Sequence, residues 1–184
     1  MDDILIATGD DLVLHQQIVH EVLDLLAEES LFCKLSKCHF KQTSITYLGI
    51  VMEAGTIRIN PTKLNGLLAW PRKLTSVKQV RSMLGVFGYH QMFIPGYANI
   101  VRPINDLLKK DTLFKWTNVH TTAMDQLAHA VAVNPILQRP DYKHPFFLEV
   151  DASQFATGAI LSQKDDQGRL RAMGSMSHSF NQAE

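Results

Sequence analysis

Cysteine is scarce in this sequence, neither sign of charge is in excess, and no long apolar run occurs. Cys33 and Cys38 are the only cysteines among 184 residues, which favours reduced thiols over a disulfide pair or a cysteine metal site. No run approaches the roughly 18 apolar residues of a membrane-spanning helix, and the acidic start lacks the basic residues of a secretory signal. We therefore expect an intracellular protein, in the cytoplasm or the nucleus, with no membrane partner.

The charge balance limits how the chain can meet a nucleic acid. Its 18 basic residues are matched by 18 acidic residues, so the formal net charge is zero. A basic surface over the whole molecule is excluded, and any contact with phosphates must come from local patches. The eight histidines follow no His-Glu-x-x-His or Cys/His metal spacing. Hydrophobic residues make up 46% of the chain, which is enough for a folded core.

Local patterns in the first two thirds of the chain predict mixed helices and strands. Residues 4–8 have the pattern of a strand, and an amphipathic helix follows, with apolar residues at helical spacing. Short strands then surround a hairpin turn at residues 53–56. Asn60 with Pro61, and Ser76 with Gln79, are typical helix starts. The residues expected on buried helix faces are Leu14, Ile18, Val22, Leu25, Val77, Val80, Leu84, Phe87, Ala123, Leu127 and Val131.

The last third of the chain changes from helical spacing to alternation. Residues 134–145 are polar and contain Pro135, Pro140 and Pro145, which predicts a linker and a domain boundary. Beyond them the pattern predicts strands at residues 146–150, 155–163 and 169–176. The fold class is therefore α+β, with at least two domain pieces.

Three aspartates are candidates for metal chemistry. Asp2 and Asp3 directly precede an apolar run that is expected to form a strand. Asp151 follows the expected strand at residues 146–150, in which apolar and polar residues alternate. Carboxylates are hard ligands suited to Mg²⁺, and two such ions can stabilise the attacking and leaving oxygens of a phosphoryl transfer. On chemistry alone the ordinary interpretations remain open: solvated acids near a terminus, and a turn-forming aspartate.

Met1-Asp2-Asp3 resembles the tyrosine-X-aspartate-aspartate motif of reverse transcriptases, with Met1 as X. Further motifs follow in the order that these enzymes have: residues 34–40, Tyr47-Leu48-Gly49, residues 59–63, Trp70-Pro71, residues 80–85, Phe93-Ile94-Pro95, Arg102-Pro103-Ile104, Phe114-Lys115-Trp116, residues 149–153 and residues 158–162. As an ordered set covering nearly the whole chain, they resemble the Pol polyprotein of Ty3/gypsy-type LTR retrotransposons.

This resemblance implies a division of the chain. Residues 1–60 would be the C-terminal part of a reverse transcriptase palm with a primer-grip-like hairpin, and residues 61–133 a helical thumb and connection. Residues 134–145 would be the linker, and residues 146–184 the N-terminal part of an RNase H-like domain. The expected architecture is thus a partial palm, a helical thumb/connection and an incomplete RNase H-like β unit.

The resemblance also assigns roles to particular residues. Asp2 and Asp3 would be two of the three polymerase carboxylates that bind Mg²⁺, and Asp151 the first metal-binding aspartate of RNase H. The expected partner is an RNA/DNA hybrid or a primer–template duplex. The residues expected to contact nucleic acid are Tyr47, Leu48, Gly49, Lys63, Arg72, Lys73, Lys78 and Arg81. For the basic residues, solvated faces of two helices are an equal alternative.

The function implied by the family is RNA-directed DNA polymerisation with linked RNase H activity. Because the chain opens inside one catalytic motif and stops inside the RNase H segment, we expect a fragment that is inactive in isolation, with weak or absent Mg²⁺ binding. The alternatives are a non-catalytic nucleic-acid-binding module, an interaction module that associates through exposed strand edges, and a pseudogene product. The sequence does not decide between them.

Overall fold

The computed structural model describes residues 3–9, 11–133 and 136–180, which form five α-helices and two antiparallel sheets. The helices are α1 (Leu12–Glu28), α2 (Pro61–Leu68), α3 (Val77–Tyr89), α4 (Tyr97–Asp106) and α5 (Asn118–Val133). The strands are β1 (Ile45–Tyr47), β2 (Ile50–Glu53), β3 (Thr56–Ile59), β4 (Ile136–Gln138), β5 (Phe147–Ala152), β6 (Ala156–Lys164) and β7 (Leu170–Ser179). The first sheet has the order β1-β2-β3-β4 and the second β5-β6-β7, which confirms a mixed α and β fold.

Three helices begin at polar side chains that cap them. Asp11 accepts hydrogen bonds from the backbone N–H groups at the start of α1, at 3.0 and 2.9 Å. The Asn60 side chain accepts from Thr62 N–H at 3.0 Å, and Ser76 Oγ accepts from Gln79 N–H at 3.3 Å. These bonds satisfy N–H groups that have no partner within the helix. The helix starts expected at Asn60-Pro61 and at Ser76 are confirmed.

The main core lies between helices α2 to α5 and the inner strands of the first sheet. Val80, Phe87, Leu127 and Val131 have no exposed surface, and Ala123 is 3% exposed, which confirms the expected faces of α3 and α5. Leu84 is only partly buried, and Met83 is fully buried. Burial at spacings of three and four places these side chains on one stripe of each helix, facing the common core.

Two segments differ from the sequence expectation. Residues 4–8 were expected to form a strand, but they join no sheet in the described part of the chain. Residues 136–138 lie within the expected linker, yet they form β4 and pair with β3 through Ile57 and Leu137. The pairing also buries the Leu137 side chain in the main core, where it is 3% exposed. Both differences depend on partners distant in sequence, which local patterns do not reveal.

Helix α1 stands apart from the main core. None of its residues is buried, although its apolar spacing is that of an amphipathic helix. Its inner face, with residues 3–6 and the segment from Phe32 to Leu48, lines an open cleft of about 480 Å³ whose surface is both polar and apolar. The expectation that Leu14, Ile18, Val22 and Leu25 lie on a buried face is therefore wrong. Ile18 and Val22 are half-buried, and Leu14 and Leu25 are exposed. No helix in the described ranges is long and apolar enough to cross a bilayer.

The second sheet is attached to the helical core by specific polar contacts. Helix α4 starts after Gly96, which has no side chain to cap it, and Ser177 Oγ of β7 instead accepts a hydrogen bond from Ala98 N–H at 2.9 Å. Ser175 Oγ donates to the Met92 carbonyl oxygen at 3.1 Å. The Arg102 guanidinium lies 4.0 Å from the centroid of the Phe155 ring, within the range of a cation–π contact.

We predict that Ser177→Ala will lower the free energy of unfolding by about 1 kcal/mol, because it removes the one side chain that caps α4 among the described residues. The Ala98 amide should also exchange with solvent faster. Chemical denaturation and hydrogen exchange measure the two effects. Ser179→Ala is the matched control, because Ser179 is an exposed serine of the same strand. Equal losses for the two variants would contradict the capping role.

Candidate nucleic-acid interface

The expected metal-binding carboxylates are separated by the fold rather than gathered. Asp3 is exposed, and its carbonyl oxygen accepts a hydrogen bond from the Tyr47 hydroxyl at 3.2 Å. Asp151 is an exposed residue of β5 and is paired in register with Gly158. Asp2 lies outside the described residues. Nowhere in the described ranges do three or more His, Cys, Asp or Glu side chains group closely enough to hold a metal ion.

A complete Mg²⁺ site is therefore not assembled by the described residues. Mg²⁺ prefers near-octahedral oxygen coordination and is usually held by carboxylates together with water and substrate phosphates. Asp3 and Asp151 can each supply one carboxylate of such a site, but neither belongs to a group of three or more described His, Cys, Asp or Glu side chains. The catalytic and metal-binding roles of Asp2, Asp3 and Asp151 stay predictions.

The Tyr47-Leu48-Gly49 motif forms the tight turn between β1 and β2. Tyr47 pairs with Ile50, so Leu48 and Gly49 are the two loop residues, with φ angles of 49° and 80°. Positive φ at both central positions is the geometry of a type I′ hairpin, which matches the twist of the strands. Glycine adopts this conformation at the second position without steric cost.

The turn is held against α2 and α3 by hydrogen bonds. The Gly49 carbonyl oxygen accepts a bond from Asn60 N–H at 3.1 Å, and the Leu48 carbonyl oxygen accepts one from the Tyr89 hydroxyl. The Lys63 side chain passes within 4.0 Å of where a Cβ on Gly49 would lie. Between the turn and the two helices is a cleft of about 420 Å³, with Lys63 on one wall and Gly85, Val86 and Tyr89 on the other.

Basic side chains continue from this cleft along α3. Lys78 and Arg81 are exposed and three residues apart, and Gly85 and Tyr89 follow at spacings of four. Residues at these spacings share one face of a helix. In the described structure neither Lys78 nor Arg81 makes an ion pair, so both charges are available to a partner. We call this line of residues, from Lys78 through Tyr89 to the Leu48-Gly49 turn, the α3 stripe.

Arg72 differs from the other candidate bases. Its Nε lies 3.0 Å from Asp125 Oδ1 of α5, and its terminal nitrogens donate to the carbonyl oxygens of Trp70 and Leu68 at 2.9 and 3.3 Å. The guanidinium thus satisfies carbonyl groups at the end of α2 and ties that end to α5. Lys73 is exposed and Lys63 lines the cleft. All these residues stay predicted contacts with nucleic acid. Arg72 differs in that its guanidinium already binds other groups of the protein.

Tyr89 is the residue that sequence analysis missed. It is 51% exposed at the end of α3, and its hydroxyl positions the hairpin turn. A signal was present in the sequence, because Tyr89 is eight residues from Arg81 and therefore on the same face of α3. What the sequence could not supply was the position of that face relative to the turn.

Comparison with known proteins relates the whole chain to polyproteins of transposable elements. The family model described as an RNase H-like domain found in reverse transcriptase matches residues 116–184. The transposon Tf2-3 polyprotein of Schizosaccharomyces pombe is 32% identical over 184 residues, which is 100% of this chain and 14% of that polyprotein. The retrovirus-related Pol polyprotein from transposon 297 of Drosophila melanogaster is 35% identical over 164 residues, covering 89% of this chain and 15% of its own length.

The chain thus spans a small part of the length of these curated relatives. Among solved structures, foamy viral protease-reverse transcriptase in complex with dsDNA has a TM-score of 0.71 at 20% identity, covering 96% of this chain and 37% of that one. The same protein in complex with an RNA/DNA hybrid also has a TM-score of 0.71, with 24% of that chain covered. At this identity the likeness shows a common fold.

We predict that Tyr89→Phe will loosen the Leu48-Gly49 turn, because the lost hydroxyl leaves the Leu48 carbonyl without its donor. The expected loss of stability is about 1 kcal/mol, measured by chemical denaturation, with faster backbone motion at Gly49 measured by NMR relaxation. Tyr142→Phe is the control, because Tyr142 is 86% exposed and its hydroxyl makes no hydrogen bond among the described residues. An unchanged turn in Tyr89→Phe would rule out this role.

Proposed function

We propose that the chain belongs to the Pol polyprotein family of Ty3/gypsy-type LTR retrotransposons and that it is the duplex-holding part of a reverse transcriptase with linked RNase H. In this proposal residues 1–60 are the palm end with its primer-grip-like hairpin, and residues 61–133 the thumb and connection. Residues 134–145 link them to the RNase H-like unit at residues 146–184. The order of elements along the chain, with β1 to β3 first, helices α2 to α5 next and the sheet of β5 to β7 last, supports this division.

The α3 stripe is the observation that carries the proposal. It has two cations, without ion-pair partners among the described residues, on one helix face that leads to a hairpin turn held by hydrogen bonds. Cations spaced along a helix can follow a phosphate backbone, and such contacts set the register of a duplex without reading its bases. The foamy viral protein of the same fold has been solved with dsDNA and with an RNA/DNA hybrid, which supports these as partner classes here.

Catalysis requires carboxylates beyond those that the described residues bring together. Two-metal phosphoryl transfer needs several acids around a pair of cations. The family uses divalent metal, and in this proposal Asp2 and Asp3 serve the polymerase centre and Asp151 the RNase H centre, with Mg²⁺ as the cation. Since neither Asp3 nor Asp151 belongs to a group of three or more described ligating side chains, we propose that the isolated chain binds a duplex without catalysing polymerisation or cleavage.

A second candidate is self-association. Helix α1 has no buried residue, and Leu12, Leu14 and Leu25 are 64%, 43% and 60% exposed. Edge strand β5 exposes Leu148 and Val150 as well, at 64% each. Apolar faces and open strand edges of this kind favour pairing with another chain. In this proposal a second copy would cover them.

We predict no measurable primer extension and no cleavage of an RNA–DNA hybrid by the isolated chain, with either Mg²⁺ or Mn²⁺. The physical reason is the incomplete carboxylate set around each centre. Activity that is robust in the unmodified chain and disappears in Asp3→Asn or Asp151→Asn would contradict this expectation. A longer segment of the polyprotein, assayed in parallel, is the positive control.

We predict that the chain binds a hybrid duplex in a salt-dependent manner and that Lys78→Gln and Arg81→Gln each weaken this binding. Each substitution should reduce the slope of log K against log salt by about 0.9, the value for one lost phosphate contact. Fluorescence anisotropy over a series of salt concentrations measures both quantities. Lys110→Gln, on the turn after α4, removes an exposed charge away from the α3 stripe. Equal effects of all three substitutions would argue against a defined duplex path.

A further inference from the structure

The hairpin between β6 and β7 holds two arginines on a single carboxylate oxygen. Asp165 Oδ2 accepts hydrogen bonds from Arg169 Nε and Arg171 Nε, both at 2.9 Å. The other oxygen, Oδ1, accepts from the backbone N–H groups of Gln167 and Arg169, at 3.0 and 2.9 Å. All four bonds end on one side chain, so the turn geometry and the positions of both guanidinium groups are set together.

This arrangement leaves the outward part of each guanidinium free. The Asp165 side chain is 19% exposed, whereas those of Arg169 and Arg171 are 57% and 50% exposed. Only the Nε atoms are used, and the terminal nitrogens of both arginines lack a hydrogen-bond partner within the described residues. Because both Nε atoms touch one oxygen, the two forks are kept close together despite their like charge.

The carboxylate stays ionised under all ordinary conditions. Partial burial raises the pKa of Asp165, but the hydrogen bonds from Arg169 N–H, from the two guanidinium groups and from Gln167 N–H outweigh it and hold that pKa well below its usual range. One negative charge between two positive ones leaves the cluster of Asp165, Arg169 and Arg171 with a net positive charge. An arginine fork matches the geometry of a phosphate, and two forks fixed beforehand lose little freedom when they bind one.

We propose that Arg169 and Arg171, held together by Asp165, form a binding site for a phosphate group, and that a phosphodiester of a nucleic acid strand occupies it. This inference rests on the proposed function for its occupant, but the site itself does not. The same chemistry would suit free inorganic phosphate. The site lies on the second sheet, and none of its residues belongs to the α3 stripe.

Neighbouring groups add cations at the same end of the second sheet. Gln163, which is 1% exposed and opposite Arg171 in register, accepts a hydrogen bond from Asp141 N–H and donates to the carbonyl oxygens of Asp141 and His144. These bonds hold the 141–144 loop, with Lys143, against β6. Lys164 follows Gln163, and its Nζ lies 5.2 Å from the Phe147 ring centroid. Asp141 and Asp166 offset part of this charge, which makes the geometry of the arginines decisive.

Two isosteric substitutions distinguish a site that depends on the positions of the two arginines from an effect of net charge alone. Asp165→Asn and Asp166→Asn each remove one negative charge, from adjacent residues of the same turn. If charge alone mattered, both variants would bind a hybrid duplex more tightly. An asparagine at residue 165 has only one accepting side-chain atom, so it cannot keep both the arginines and the backbone bonds. The proposal therefore expects Asp165→Asn to bind roughly threefold or more weakly and Asp166→Asn to bind as well as the unmodified chain, or better.

A second pair of variants tests the forks without changing charge. The double variant Arg169→Lys, Arg171→Lys keeps both cations but removes the bidentate geometry, and its affinity for the hybrid should fall roughly tenfold. Circular dichroism and the unfolding transition show whether each variant remains folded. Should a variant unfold, the Arg Nε–H resonances of the unmodified chain, followed during titration with the hybrid, report directly on occupancy.

The outcomes distinguish this inference from the proposed function. Equal tightening by Asp165→Asn and Asp166→Asn, or unchanged affinity of the double lysine variant, would overturn the site. If Lys78→Gln and Arg81→Gln still weaken binding in that case, the duplex-holding function stands. Titration with inorganic phosphate alone identifies the source: Arg Nε–H shifts with phosphate but not with hybrid would support the site and overturn a phosphodiester as its occupant.

Discussion

The pairing of β4 with β3 is the contact on which the arrangement of this chain depends. The backbone leaves the first sheet at Ile59, forms four helices, and returns at Ile136 to pair with Arg58 of the strand it left. That return closes the helices over the inner strands, so that Ile59, Leu137 and the apolar faces of α3 and α5 share one core. Strand β4 also contacts β7, which brings the second sheet to the same place.

The closed core explains why the candidate interface is rigid in some parts and open in others. The Leu48-Gly49 turn lies beside the core and is fixed by the backbone of Asn60 and by Tyr89, both of which belong to elements that pack in it. Helix α1 and residues 3–8 lie on the far side of β1, away from that packing, and they bury nothing fully. A positioning surface needs side chains locked by their neighbours, and only the first of these two regions provides that.

Sequence patterns predicted the features whose causes are local. Asn60 with Pro61 and Ser76 with Gln79 specify helix starts by bonds within a few residues, and Gly55 supplies the positive φ in the hairpin turn expected at residues 53–56. The family resemblance was visible in the order of the motifs, among them Tyr47-Leu48-Gly49 and those that follow it. Features that depend on distant partners were not predictable. They are the three-residue strand β4, the absence of strand pairing at residues 4–8 within the described structure, and the Arg72–Asp125 ion pair.

With no net charge, the chain can attract a polyanion only where its cations are not already used by its own acids. Arg58 is paired with Glu53, Arg72 with Asp125 and Lys109 with Asp106, so these cations mainly serve the fold. Lys78 and Arg81 are exposed and unpaired in the described structure, so both positive charges of α3 are available to bind a polyanion. Arg169 and Arg171 are an intermediate case, because two cations share one acid and keep their outer nitrogens free. Counting basic residues therefore says little about binding here; which acid each one faces decides whether it holds the protein together or is left for a ligand.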